Sequence, residues 1–112
     1  MTVKIKRIYE PASADDGYRI LTDRLWPRGI KKELIDKWLK DVAPSTELRK
    51  WFNHEPAKWQ QFLARYREEI ANSPALDELH TDIEQHNNVT LLYSAKDEQH
   101  NQAMALLQIL NL

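Results

Sequence analysis

Val89-Thr90-Leu91-Leu92-Tyr93-Ser94-Ala95 (VTLLYSA) is too short for a core helix and nearly all apolar at its centre. A strand with one face in water alternates apolar and polar residues, whereas a strand covered on both faces of a parallel sheet reads as a continuous apolar run. The segment is therefore expected to be the interior strand of a parallel sheet. Upstream, Trp59, Phe62, Leu63, Tyr66 and Ile70 recur at helical spacing behind Pro56, which suits a first helical position. Ser73-Pro74 repeats the cap-plus-proline start, with Leu76, Leu79 and Ile83 as the stripe and Asn87-Asn88 able to supply a left-handed closing residue. These two segments read as a helical hairpin. Downstream, Asp97 is expected to cap a last helix whose Ala103, Leu106, Leu107 and Leu110 share one face.

Toward the start of the chain, Val3 to Tyr9 reads as a first strand stopped at Glu10-Pro11, where proline has no amide for a ladder. Ala12 to Gly17 collects turn residues, and Tyr18 to Leu25 reads as a second strand ending at the breaker cluster Trp26-Pro27-Arg28-Gly29. Lys31 to Lys40 fits either a helical turn or, from Asp36 to Val42, a short strand; a turn followed by a strand is the preferred reading. Ser45 is an N-cap for a short helix carrying Leu48, Trp51 and Phe52 on one face and ending near Asn53-His54. Strands separated by helical crossovers predict an α/β fold, a small mostly parallel sheet of three to four strands flanked by helices in a three-layer, Rossmann-like arrangement, with α+β as the alternative.

With 112 residues, 42% hydrophobic, 29% charged and only two glycines, the chain is expected to form one globular domain. It has no cysteine, which excludes disulfides, thiolate nucleophiles and cysteine zinc sites and fits a reducing compartment. No signal-peptide core or bilayer-length apolar run is evident, so the expected location is cytoplasmic, with no membrane partner. A formal net charge of -1 argues against extended nucleic acid as a partner while leaving room for a local basic patch. Oligomeric state is not legible.

Chemistry is expected beyond the carboxyl ends of the strands, where loops converge in open α/β sheets. Two polar segments fall there: Asp23 to Gly29 and Tyr93 to Asn101. Arg24 and Arg28 could hold phosphate or carboxylate oxygens, and a helix starting near Asp97 would add amides and a positive dipole end. Asp23 could equally be a structural partner of Arg24 or Arg28. His100 could carry a proton near neutrality, although an exposed surface histidine is the plainer reading. Lys96, Tyr93 and Asn101 are further candidate ligand contacts, and Trp26 beside Pro27 could lid a pocket. His54, His80 and His86 suggest no metal site. Without a G-x-G-x-x-G, Walker, G-x-S-x-G or H-E-x-x-H motif, no glycine-loop nucleotide cofactor is expected.

Three blocks, D-R-L-W-P-R-G (Asp23 to Gly29), W-L-K-D-V-A-P-S-T-E-L-R-K-W-F (Trp38 to Phe52) and L-L-Y-S-A-K-D-E-Q-H-N (Leu91 to Asn101), together resemble the YeaO-like proteins of domain-of-unknown-function family 488. The resemblance runs from about Ile5 to the C-terminus. It implies a compact α/β fold with polar motif residues at strand ends, and no particular substrate or reaction. The matching positions include Asp23, Arg24, Trp26, Arg28, Arg49, Tyr93, Lys96, Asp97, His100 and Asn101. Related members of the broader family carry a cysteine in the strand that here reads Leu92-Tyr93-Ser94, so a thiol mechanism does not transfer.

Three functions are compatible with these residues. An enzyme acting on a small anionic, phosphorylated or nucleotide-like ligand would use Arg24, Arg28 and Lys96 as cations and Asp23 or His100 as proton carriers. A non-catalytic module would use the same cations to bind an anion or a nucleic-acid end. A protein-interaction domain would use exposed aromatic surface instead. Convergence of Asp23, Arg24, Arg28 and His100 on one cleft would favour the first two.

Overall fold

The computed structural model describes residues 2–112. Four strands, β1 (Thr2–Arg7), β2 (Tyr18–Leu21), β3 (Lys37–Trp38) and β4 (Asn88–Tyr93), form one sheet in the order β1-β4-β2-β3. Every pairing is parallel, with Ile5 and Ile20 both opposite Leu91. The last strand in sequence is thus an interior strand. Leu91 and Leu92 point to opposite faces and both are 0% exposed, which is why that segment shows no polar alternation.

The helices are α1 (Thr46–Phe52), α2 (Trp59–Ile70), α3 (Pro74–Gln85) and α4 (Gln102–Ile109). Residues of all four join one apolar cluster with Ile20, Val89, Leu91 and Tyr93, including the whole α2 stripe Trp59, Phe62, Leu63, Tyr66 and Ile70. α2 lies beside α1 and α4, whereas α3 lies closest to the 3-10 turn Lys40–Val42. The opposite face of the sheet holds a smaller cluster of Ile8, Leu21, Ile35 and Leu92, against which Trp26 and Ile30 pack. Its covering layer is therefore built from the connection between β2 and β3. The rest of that face is polar. Asp16, 1% exposed, gathers Lys4, Lys6 and Arg19 there, with the Lys6 ammonium 2.7 Å from Oδ1.

Several boundaries differ from the sequence reading. β2 stops at Leu21, not Leu25, because the chain is drawn off the sheet: the Trp38 indole donates to the carbonyl of Asp23 at 2.7 Å, and the Arg24 guanidinium donates to the carbonyls of Ala43 and Pro44 at 3.1 and 3.3 Å. Strand character between Asp36 and Val42 is confined to Lys37–Trp38. α3 ends on His86 in an extended conformation, without a left-handed Asn87 or Asn88.

The last helix starts four residues later than expected. Asp97 Oδ1 accepts from the amides of Gln99 and His100 but closes only a turn. The true N-cap is Asn101, extended at φ -138°, whose side-chain oxygen accepts from Met104 N at 2.8 Å. No helix among the described residues is long and apolar enough to cross a membrane.

Candidate functional site

Parallel strands all present their carboxyl ends on one edge of the sheet, and a cavity of about 410 Å³ opens there. Its walls come from the segment after β2 (Asp23, Trp26, Arg28), from α1 and the residues behind it (Arg49, Phe52, His54), and from the segment after β4 (Ser94, His100, Gln102), with Tyr9 and Phe62 completing them. Local bonds hold the loop after β2 in place. The Tyr9 hydroxyl donates to the carbonyl of Arg28 at 3.0 Å, and the Trp26 indole donates to that of Ile30 at 2.9 Å. Thr22 also donates from both its amide and hydroxyl to the carbonyl of Leu92.

Asp23 forms the polar floor. Its Oδ1 accepts from the side-chain amide of Gln102, while Oδ2 is buried and has no hydrogen-bond partner among the described residues. Burial pushes this carboxyl above the usual carboxylate range, although nearby Ser94, Gln102 and the charge of Arg49 favour its ionised form. Ser94 lies close enough to act on that equilibrium without reaching bonding geometry with Oδ2.

His100 lines the same cavity and is oriented by its neighbours. Its Nδ1–H donates to Asp97 Oδ2 at 2.9 Å, and its ring meets that of Trp59 edge-on at 5.2 Å. This bond leaves Nε2 as the ring nitrogen that can accept or deliver a proton. Asp97 is held below the usual carboxylate range, first by the amide of Gln99 and then by His100.

The cations are arranged differently from the sequence expectation. Arg28 and Arg49 both line the cavity, and neither guanidinium has a hydrogen-bond or ion-pair partner among the described residues. Arg24 does not line it, because its donors are spent on Ala43 and Pro44, where it fastens the β2 loop to the start of α1. Lys96 faces a neighbouring cleft with Arg7, Tyr9 and Asp97. Tyr93 is buried in the core cluster instead of facing the cavity. Asn101 borders the cavity with both amide groups occupied, donating to the carbonyl of Asp97 and accepting from Met104 N. Side chains already accept from Met104 N at the start of α4 and from the amides of Gln99 and His100 in the turn before it.

Of the expected residues, Asp23, Trp26, Arg28, His100 and Asn101 thus line one cavity, while Arg24, Lys96 and Tyr93 do not. Arg49, His54, Ser94 and Gln102 were not singled out as site residues. Arg49 lay inside the second family-like block, which was the available signal. His54 follows the left-handed cap Asn53 (φ 47°) and is itself left-handed at φ 55°. Sequence gives no sign of that conformation, which is uncommon in residues other than glycine.

The family model described as "Inactive DUF488-N3 subclade" matches residues 2–112. The chain belongs to the DUF488 family. This DUF488 chain is 46% identical over 108 residues to "Uncharacterized protein YeaO" of Escherichia coli (strain K12), covering 95% of the chain and 94% of that relative. Uncharacterized proteins of Mycobacterium tuberculosis (strain ATCC 25618 / H37Rv) and Mycobacterium bovis (strain ATCC BAA-935 / AF2122/97) are each 41% identical over 111 residues, covering 97% of the chain and 93% of the relative. No solved structure matches it significantly.

Proposed function

We propose that this DUF488 protein is a non-catalytic binding module that holds a small anionic ligand, phosphorylated or nucleotide-like, in the cavity at the carboxyl ends of its strands. The observation that carries this reading is the pair Arg28 and Arg49, two exposed arginines that line one cavity and whose guanidinium groups have no hydrogen-bond or ion-pair partner among the described residues. A phosphate or carboxylate in the cavity would accept paired N–H bonds from each fork. A volume of about 410 Å³ suits a small metabolite. The absence of any cysteine and the description of the matching family model as inactive favour binding over turnover.

The test is a thermal-shift screen with phosphorylated metabolites, followed by calorimetry on wild type, Arg28→Ala and Arg49→Ala. A ligand that binds only the folded state must raise the apparent stability. Each variant is expected to bind about tenfold or more weakly, the usual loss for a hydrogen-bonded charge contact. If no anion binds wild type at millimolar concentration, or if both variants bind as well as wild type, the reading fails.

A second reading, proton-transfer catalysis by Asp23 and His100, is favoured by the Asp97–His100 bond that orients the imidazole. It requires that a bound ligand be converted over time and that His100→Ala stop the conversion. Recovery of the ligand unchanged supports the binding module.

A further inference from the structure

The cationic wall accounts for an anion but not for Asp23. A buried carboxylate oxygen without a donor is costly, and a second anion brought near it would raise that cost. A ligand that turns a hydrogen-bond donor toward Asp23 while its anionic end meets the arginines would relieve that cost beyond what Ser94 and Gln102 supply. The surroundings specify the donor further. Trp26, Phe52, Phe62 and Tyr9 line the walls, with Phe52 and Phe62 stacked at 4.4 Å. Such walls accommodate a flat π-system better than an alkylammonium, which would lose its hydration against them.

Deepening the anion reading, on which it rests, we infer that the ligand is an amino-substituted heteroaromatic phosphate, whose exocyclic N–H donates to the carboxylate of Asp23 as Oδ2 turns toward the cavity, while its phosphate engages Arg28 and Arg49. Gln102 is the positioning residue. Its amide occupies Oδ1 and also reaches Thr22 Oγ1 at 3.3 Å, so that Oδ2 is the oxygen still without a donor. Ionised Asp23 accepts only, so it rewards an N–H and penalises a carbonyl at the same position.

Matched compounds that differ by one amino group provide the test. Calorimetry on the full chain would compare adenosine 5′-monophosphate with purine riboside 5′-monophosphate, cytidine 5′-monophosphate with its 2-pyrimidinone counterpart, and ribose 5-phosphate as the base-free anion. In at least one pair the amino compound is expected to bind about tenfold or more tightly, the typical worth of a hydrogen bond to a charged group. Asp23→Leu should erase that preference while ribose 5-phosphate binds at least as tightly as to wild type, since the variant lacks the carboxylate charge that opposes an anion. Equal affinities within both pairs, or a preference that survives in Asp23→Leu, would overturn the inference while leaving the anion reading intact. If none of the phosphates binds wild type, the anion reading fails and this inference falls with it. The wild-type comparison decides the matter even if Asp23→Leu does not fold.

Discussion

Asp23 and Asp16 are two carboxylates set in opposite environments, and their pH behaviour should differ in sign. Asp23 has a folded pKa above its ordinary value of 3.8 because burial disfavours its charge. The folded state therefore holds the extra proton between 3.8 and the raised value, so stability falls as pH rises through that window and stays reduced at neutrality. Asp23→Asn should make the protein more stable at neutral pH, on the order of 1 kcal/mol, as functional-site replacements often do. Urea titrations at neutral and acid pH would show the gain shrinking once wild-type Asp23 is protonated; a less stable variant at neutral pH would contradict the account. For Asp16, burial opposes ionisation, but Lys6, the amide and hydroxyl of Ser13, and Lys4 outweigh it and hold the group well below the usual range. Its stabilisation is present above the ordinary value and is lost as pH falls below it. Asp16→Ala also leaves Arg19, 7% exposed, without its counter-charge, and should cost about 3–5 kcal/mol by denaturant unfolding. A loss below about 1 kcal/mol would mean that the cluster is fully solvated.

Among the elements, α2 is the one whose side-chain spacing most directly fixed its place. Trp59, Phe62, Leu63, Tyr66 and Ile70 are all buried, and Phe62 also touches the cavity. Phe62→Ala should cost about 3–5 kcal/mol in a denaturant titration if the cavity does not collapse, and a loss below about 1 kcal/mol would place the side chain at the surface. The end of β2 and the start of α4 were harder to read because distant groups set them. The carbonyls that Arg24 engages lie about twenty residues away, and the cap at Asn101 competes with an equally plausible cap at Asp97. The helix begins where the asparagine oxygen reaches Met104 N, so Asn101→Ala should destabilise by about 0.5–2 kcal/mol, whereas Asp97→Asn should mainly release His100. An Asn101→Ala variant as stable as wild type would remove the cap from the account.

For the molecule as a whole, the carboxyl-edge location of the site was legible because it depends only on strands being parallel, and the apolar run at Leu91-Leu92 announces that. The identity of the second arginine was not. Arg28 lies beside the strand end in sequence, but Arg49 reaches the cavity only because α1 is carried over the sheet between β3 and β4. Conversely, Arg24 and Lys96 adjoin strand ends in sequence, yet Arg24 is spent on the carbonyls of Ala43 and Pro44 and Lys96 faces the neighbouring cleft. With a formal net charge of -1, the proposed anion binding would rest on this local pair and not on a broad positive surface. Following the backbone amides of the isotopically labelled protein by NMR during separate titrations with adenosine and cytidine 5′-monophosphates tests the central claim most directly. Saturable shifts confined to residues 23–28, 49–54 and 94–102, and lost in Arg49→Ala, are the predicted result; no shifts at millimolar ligand, or shifts centred on the outer edge of β3, would contradict it.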